Sequence, residues 1–408
     1  MIAPARRLLY VVNDRASFVA RRLAIAVAAA EAGYDVHAIL PDRMPSEGGG
    51  HFSDMDAEAV EAELATAPVT VHPVPLSRRG TQLSAEARTV AAISRVLARV
   101  QPDVVHQFTL KPILYGTLAA VRQRPSALVN SFVGLGYMLE AAGPVAALRR
   151  QLLLRGYGAM ARWTRAWSVF QNPENAAAVG AAAQLDPRRV KLIRGSGVDL
   201  DRFPATPAPT GELPLVVLPA RMLADKGLGE FVEAARRVRQ SGVAGRFALV
   251  GGTDPGNPAA VPESTLRAWA DSGDIEWWGH RRDMSAVFQA AAVVCLPSYA
   301  EGVPRALLEA AASGRAIVTS NVPGCREVVQ QGHNGLLVPP RDAGALADAL
   351  AVILKDGARR AAMGAAGREL VVREFSLPAV IRQTVDLYDV ALAASGRQPP
   401  LLHRADPT

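Results

Sequence analysis

Short apolar runs rich in Val, Ile and Leu alternate along this chain with Ala-rich stretches whose apolar positions recur at three- and four-residue spacing. The first kind of pattern predicts strands and the second predicts helices. Strands are expected at residues 7–13, 35–41, 70–76, 103–108, 127–132, 167–171 and 190–195, with helices such as 18–32, 84–100 and 111–121 between them. A break follows at residues 199–213, which contain three prolines and a glycine. The alternation then restarts, with strands expected at 214–219, 247–251, 275–279, 293–297, 316–320 and 335–338. Residues 343–395 read as mostly helical, and the last residues, GRQPPLLHRADPT, read as a frayed tail. Near-continuous apolar strands separated by helices predict parallel sheets covered on both faces. The expected fold is therefore α/β, with two doubly wound Rossmann-like domains facing each other across a cleft. The expected boundaries are 1–198 for the first domain, 199–212 for a linker and 213–380 for the second domain. Residues 381–408 are expected to form a C-terminal helix and tail packing back on the first domain. Ligands are expected in the cleft, at the carboxyl ends of the strands.

The length of 408 residues agrees with two domains, and a chain that is 50% apolar and 20% charged is globular rather than disordered. No run of 18 uncharged apolar residues occurs, so a spanning helix is not expected. The N-terminus passes straight into a strand-like run without a secretory pattern. Two cysteines, Cys295 and Cys325, cannot form a disulfide framework. A cytoplasmic protein is expected. The net charge of +7 changes this picture only when it is located. Residues 1–200 hold 23 Lys and Arg against 16 Asp and Glu, while residues 201–408 hold 22 of each. A basic half invites nucleic acid, an anionic membrane surface or a phosphorylated substrate as partner. No nucleic-acid module is recognisable, so that partner is not expected.

Several chemistries are excluded by what the chain lacks. The turn after the first strand, Asn13-Asp14-Arg15-Ala16-Ser17, has no glycine, so a dinucleotide-binding enzyme is not expected. No P-loop and no G-x-S-x-G elbow occurs. The seven histidines show no zinc-ligand spacing. Two D-x-D triplets, Asp54-Met55-Asp56 and Asp199-Leu200-Asp201, read more simply as a helix start and a linker turn than as a metal site. No metal ligand is assigned.

The informative segment is residues 296–314, LPSYAEGVPRALLEAAASG. A strand ends at Pro297, a loop carries Glu301-Gly302, and Pro304 opens a helix at a position where its missing N–H costs nothing. The first-turn N–H groups of Arg305, Ala306 and Leu307 would form an anion site. If the intervening residues were helical throughout, Glu301 and Glu309 would lie about 12 Å apart. That span suits one carboxylate on a ribose and one facing a sugar, with a diphosphate between them on the helix terminus. An isolated Glu309 would read instead as an i,i+4 partner of Arg305 on a solvated face.

This segment resembles the Glu-seven residues-Glu signature of the retaining GT-B glycosyltransferases of family four. Pro219-Ala220-Arg221-Met222 and Asp225-Lys226-Gly227 resemble that family's strand-end arginine and loop lysine, which imply two cations on the donor diphosphate. Val250-Gly251-Gly252 resembles its glycine turn, and residues 279–284, GHRRDM, its nucleobase-contacting segment. Pro323-Gly324-Cys325-Arg326-Glu327 and Gly332-His333-Asn334-Gly335 resemble the remaining C-terminal pattern. In the first half, residues 108–112 with Tyr115-Gly116, 134–137, 170–173 and 195–200 resemble the subfamily that extends glycans on undecaprenyl diphosphate, often with N-acetylgalactosamine, in O-antigen, capsule or glycoprotein assembly. The resemblance implies Glu301, Arg221 and Lys226 as catalytic residues. It implies donor contacts from Arg221, Lys226, Gly252, Arg281, Glu301, Gly302, Val303, Arg305 and Glu309. It implies an acceptor side formed by His106, Thr109, Lys111, Gly134 and Tyr137. The family's second strand-end histidine is Phe108 here, and Lys111 is the candidate replacement.

The expected reaction is departure of a nucleoside diphosphate from an anomeric carbon, with fixed cations stabilising the charge that grows on the phosphate. The resemblance implies a UDP-sugar donor, no cofactor or metal, and a polyprenyl-diphosphate-linked glycan acceptor at the inner membrane face. A soluble acceptor, a UDP-sugar 2-epimerase and a silent sugar-nucleotide-binding protein are the alternatives. Residues 141–173 carry five arginines and no acid, interleaved with leucines and tryptophans. Such a segment suits an anionic membrane surface, and equally a helix packed on the sheet.

Overall fold

A computed structural model describes residues 5–42, 57–76, 82–133, 143–207, 209 and 213–396. Within these residues the chain divides into two compact units. One holds the residues up to Ile193 together with those from Ile381 onward, and the other holds Arg194–Val380. Thus residues 194–198, expected with the first domain, belong to the second. The reason is local: Val198 donates to Phe375 O at 2.9 Å and accepts from Leu377 N–H at 2.9 Å.

The first unit contains strands β1 (Arg6–Val11), β2 (Tyr34–Pro41), β3 (Thr70–Val74), β4 (Val104–Phe108), β5 (Ala127–Phe132), β6 (Trp167–Phe170) and β7 (Val190–Leu192). They form one sheet in the order 3-2-1-4-5-6-7, and every pair is parallel. The second unit contains β8 (Leu215–Pro219), β9 (Arg246–Val250), β10 (Glu276–Trp277), β11 (Val293–Leu296), β12 (Ala316–Ser320) and β13 (Gly335–Val338). Its sheet runs 10-9-8-11-12-13, again all parallel. β5, β8, β11 and β12 are buried at every position. That is what helices on both faces require, and it explains why these strands read as unbroken apolar runs. Each sheet reverses its winding once, between β1 and β4 and between β8 and β11. These two switch points are where an open α/β sheet leaves room for a ligand. The fold is the expected pair of Rossmann-like units.

The arginine-rich segment forms the helix Pro144–Thr164, and one face of it packs on the core as the second sequence reading expected. Leu154 and Tyr157 are buried in the core. Val145, Leu148, Leu152 and Trp163 are each more than half exposed. At 100° per residue these four fall on one stripe of the helix. Arg149, Arg155 and Arg162 are also exposed.

Candidate active site

The second unit's switch point gathers most of the expected donor residues. β8 ends at Pro219, and the loop behind it carries Arg221 and Lys226; β11 ends at Leu296, and its loop carries Ser298, Tyr299 and Glu301. Gly227 permits the two loops to meet. It has φ +73°, and a Cβ there would collide with the carbonyl of Pro297. Lys226 Nζ donates to Glu301 Oε1 at 2.7 Å, and Ser298 Oγ donates to the same oxygen at 2.8 Å. The pair is mostly buried. Burial pulls the Lys226 ammonium down, but the Glu301 carboxylate against it carries its pKa above the ordinary lysine value. Glu301 and Gly302 are backed by Gly324, where any side chain would run into their carbonyl oxygens.

Arg221 stands on the other side of the β8 loop and donates from Nη1 to Asp254 Oδ2 at 2.6 Å. The Asp254 side chain is fully buried. The loop is tied to its neighbour by Met222 N–H to Gly252 O at 3.1 Å and Ala224 N–H to Ala259 O at 2.8 Å. The guanidinium of Arg221 is close enough to Lys226 to oppose its protonation. Both expected diphosphate cations are therefore close together, and each already has a carboxylate partner. A dianionic ligand arriving here meets charge held in place rather than flexible surface cations.

The helix after Glu301 differs from expectation in detail. It spans Arg305–Ala312, and Pro304 is its N-cap rather than its first residue. The Pro304 carbonyl accepts from the Leu307 N–H at 3.1 Å and from Leu308 at 3.3 Å. Leu307 therefore does not offer its N–H to an anion. Glu309 lies one turn into this helix, and the non-helical residues before Arg305 remove the basis of the 12 Å estimate. Glu309 Oε1 accepts from Arg305 Nε at 2.6 Å, so the i,i+4 pair exists, but with the Glu309 residue only 9% exposed. Val303 is half-buried and packs on the core of the second unit. Arg281 is separate from the pair: it is exposed and forms a bidentate ion pair with Asp283 at 2.9 and 2.7 Å. That contact pushes the Arg281 pKa further up and the Asp283 pKa down.

Sequence reasoning missed Asp254, Ser298 and Tyr299. Asp254 follows the expected glycine turn by two residues, and Ser298-Tyr299 lie inside the quoted LPSYAEG run, so position was the available signal. Cys295 and Cys325 are both buried in the core, and burial pushes the Cys325 thiol up to about 12. Asp199 Oδ1 accepts from the N–H groups of Asp201 and Arg202 at 3.0 and 3.2 Å, which makes that triplet a turn. Asp54 and Asp56 lie outside the described residues. No group of three or more potential metal-ligating His, Cys, Asp or Glu side chains occurs among the described residues.

In the first unit, Thr109 stands at the β1/β4 switch point with φ +68° and ψ +162°, a region that non-glycine residues rarely enter. Its Oγ1 donates to Asn13 Oδ1 at 3.1 Å, and its N–H donates to Ser131 O at 3.2 Å. Lys111 Nζ donates to Glu86 Oε1 at 2.9 Å. Gly134 and Tyr137 lie outside the described residues. His106 is an interior residue. Its ring nitrogens lie 2.7 Å from Tyr388 OH and 2.7 Å from Ser131 Oγ, and the ring is only 2% exposed. Both nitrogens are occupied, so the side chain does not present itself to an acceptor. Burial, with Arg22 acting the same way, holds its pKa well below 6.5. The unfolded chain therefore binds one more proton here below pH 6.5, and stability falls as pH drops. The slope approaches about 1.4 kcal/mol per pH unit at most, where the unfolded imidazole is fully protonated and the folded ring is still neutral. Chemical denaturation of the wild type and His106→Gln between pH 5 and 7 checks this: the wild type loses stability more steeply toward acid.

Two family models match the chain. One, described as Glycosyl transferases group 1, covers residues 214–356, and the other, Glycosyl transferase 4-like, covers residues 7–160. A Campylobacter jejuni protein named N,N'-diacetylbacillosaminyl-diphospho-undecaprenol alpha-1,3-N-acetylgalactosaminyltransferase is 29% identical over 276 residues, which is 65% of this chain and 71% of that protein. Among solved structures, a sucrose-phosphate synthase from Thermosynechococcus elongatus superposes with a TM-score of 0.74 at 20% identity, over 95% of this chain and 100% of that one. The Anabaena protein HepE in complex with UDP superposes with a TM-score of 0.72 at 17% identity, over 93% and 99%. These likenesses identify the fold as GT-B.

Proposed function

We propose that this chain, which belongs to the group 1 glycosyl transferases and is a hexosyltransferase, moves a hexose or N-acetylhexosamine from a UDP-sugar to a polyprenyl-diphosphate-linked glycan, with retention at the anomeric carbon. The observation that carries the donor half is the Lys226–Glu301 pair at the β8/β11 switch point, with Arg221 beside it and a helix amino end following. As the bond to the anomeric carbon breaks, negative charge grows on the leaving diphosphate. Lys226 and Arg221 stabilise it from fixed positions, without requiring a metal ion. Positive charge grows on the sugar ring, and the Glu301 carboxylate stabilises that charge and binds hydroxyls. Two donors already hold one Glu301 oxygen, which favours this role over covalent attack. Gly252, Gly302, Val303, Arg305, Glu309 and Arg281 line the donor side in this reading, and Thr109 and Lys111 the acceptor side. HepE supports UDP as the nucleotide and the Campylobacter transferase supports the lipid-linked acceptor, each by what its own name states.

A screen of UDP-sugars with a synthetic polyprenyl-diphosphate acceptor in EDTA tests the proposal. Elongated product and released UDP in equal amounts are expected. Product only on a soluble acceptor, or only after metal is added, contradicts it.

The exposed stripe of the helix Pro144–Thr164 supports a peripheral position on the inner face of the cytoplasmic membrane. Among the described residues, no helix is long and apolar enough to cross a membrane. Val145, Leu148, Leu152 and Trp163 would enter the headgroup region, and Arg149, Arg155 and Arg162 would meet its anionic charge. Each arginine near such a surface contributes about 1 kcal/mol, so Arg149→Gln with Arg155→Gln is expected to weaken vesicle binding by roughly tenfold or more. Sedimentation with phosphatidylglycerol vesicles measures this. Equal binding to neutral phosphatidylcholine vesicles contradicts it.

A further inference from the structure

The loops after β8 and β11 touch at more points than the ion pair. Tyr299, two residues before Glu301, donates its N–H to Asp225 O at 2.9 Å, next to Lys226. Its hydroxyl donates to Glu230 Oε1 at 2.7 Å. Glu230 is in the first turn of the helix Leu228–Gln240, which starts directly after Gly227. Its carboxylate therefore also faces the positive end of that helix. The Arg341 guanidinium, from the loop after β13, lies 4.4 Å from the centre of the Tyr299 ring. Three loops thus converge on one half-buried phenol, which neither the donor nor the acceptor reading uses. Burial and the Glu230 carboxylate push the Tyr299 hydroxyl up to about 12, so it stays a donor through the physiological range.

We propose that Tyr299 is a positioning residue that sets Lys226 and Glu301 in register for the donor diphosphate, by fastening the β11 loop to the start of the helix behind Lys226. The Tyr299 hydroxyl fixes that helix start, Gly227 sits against Pro297, and Lys226 is held between them. Without the hydroxyl bond, the backbone bond to Asp225 and the apolar ring remain, but the loop gains freedom relative to the helix. A small displacement of Lys226 relative to Glu301 is enough to lower turnover, because catalysis depends on fixed geometry. The proposal rests on the reading of this switch point as the donor site.

Calorimetric titration with UDP, UDP release from a UDP-sugar that the wild type turns over, and thermal melting test it together. Tyr299→Phe is expected to weaken UDP binding about threefold and slow turnover about tenfold. Glu230→Ala is expected to match it, and the double variant to be no worse than either single one, because both remove one bond. Glu230→Gln keeps an acceptor oxygen and is expected to recover most of the activity. Tyr299→Phe with wild-type UDP binding and turnover, whether or not it melts earlier, overturns the proposal. So does a double variant whose losses multiply. A wild type that binds no UDP overturns the donor reading and this proposal with it, whereas a binding wild type matched by Tyr299→Phe overturns this proposal alone.

Discussion

Replacing Glu301 by Gln is expected to lower turnover by about 10²–10³-fold while leaving the Kd for UDP within a few-fold of the wild type. The substitution is nearly isosteric and keeps an oxygen that Lys226 and Ser298 can still address. What it removes is the negative charge beside the sugar, and that charge matters most when the ring becomes cationic. UDP has no sugar, so its affinity reports only the diphosphate and nucleoside contacts. UDP binding and steady-state UDP release, measured on the same preparation, separate the two effects. Wild-type turnover in Glu301→Gln would remove Glu301 from the chemistry.

Lys226→Ala is expected to act on binding as well as on turnover. The ammonium is mostly buried against Glu301 and carries a pKa above the ordinary lysine value. Its removal deletes one of two diphosphate cations and leaves the carboxylate without its charge partner, a change that typically costs about 3–5 kcal/mol for a buried pair. That carboxylate then repels the incoming diphosphate. A UDP Kd raised roughly a hundredfold is expected, with turnover falling further still. The sign of the coupling is informative. Adding Glu301→Gln to Lys226→Ala removes the uncompensated charge, so the double variant is expected to bind UDP better than Lys226→Ala alone. Titration calorimetry on the four proteins of this cycle measures it. Additive losses would mean that the two side chains do not act as a pair toward the ligand.

The fold was legible because parallel strands buried on both faces leave an unbroken apolar run. Residues 127–132 and 316–320 were read with the bounds that β5 and β12 have in the structure. β10 was read too long. It is only Glu276–Trp277 at the sheet's edge, where half-buried residues and a nearby glycine turn blur the pattern. The site residues were legible as types at positions, but their pairings were not. Lys226 and Glu301 are 75 residues apart in the chain, and nothing in either segment says that the ammonium rests on the carboxylate. Asp254 and Tyr299 were missed for the same reason: their meaning lies in contacts with Arg221 and Glu230, which only the folded sheet creates. His106 sits on a strand buried at every position, and its ring is held by Ser131 and by Tyr388, 282 residues away. Pro304 illustrates a smaller limit. A proline at a helix start was recognisable, but not whether it would be the cap or the first helical residue.

A crystal structure of this protein with UDP tests the central claim most directly. The account predicts the diphosphate at the carboxyl ends of β8 and β11, with Lys226 and Arg221 each within about 3 Å of a phosphate oxygen and the helix Arg305–Ala312 pointing its amino end at the ligand. A diphosphate bound elsewhere, with Lys226 still closed on Glu301 and Arg221 still closed on Asp254, would contradict it.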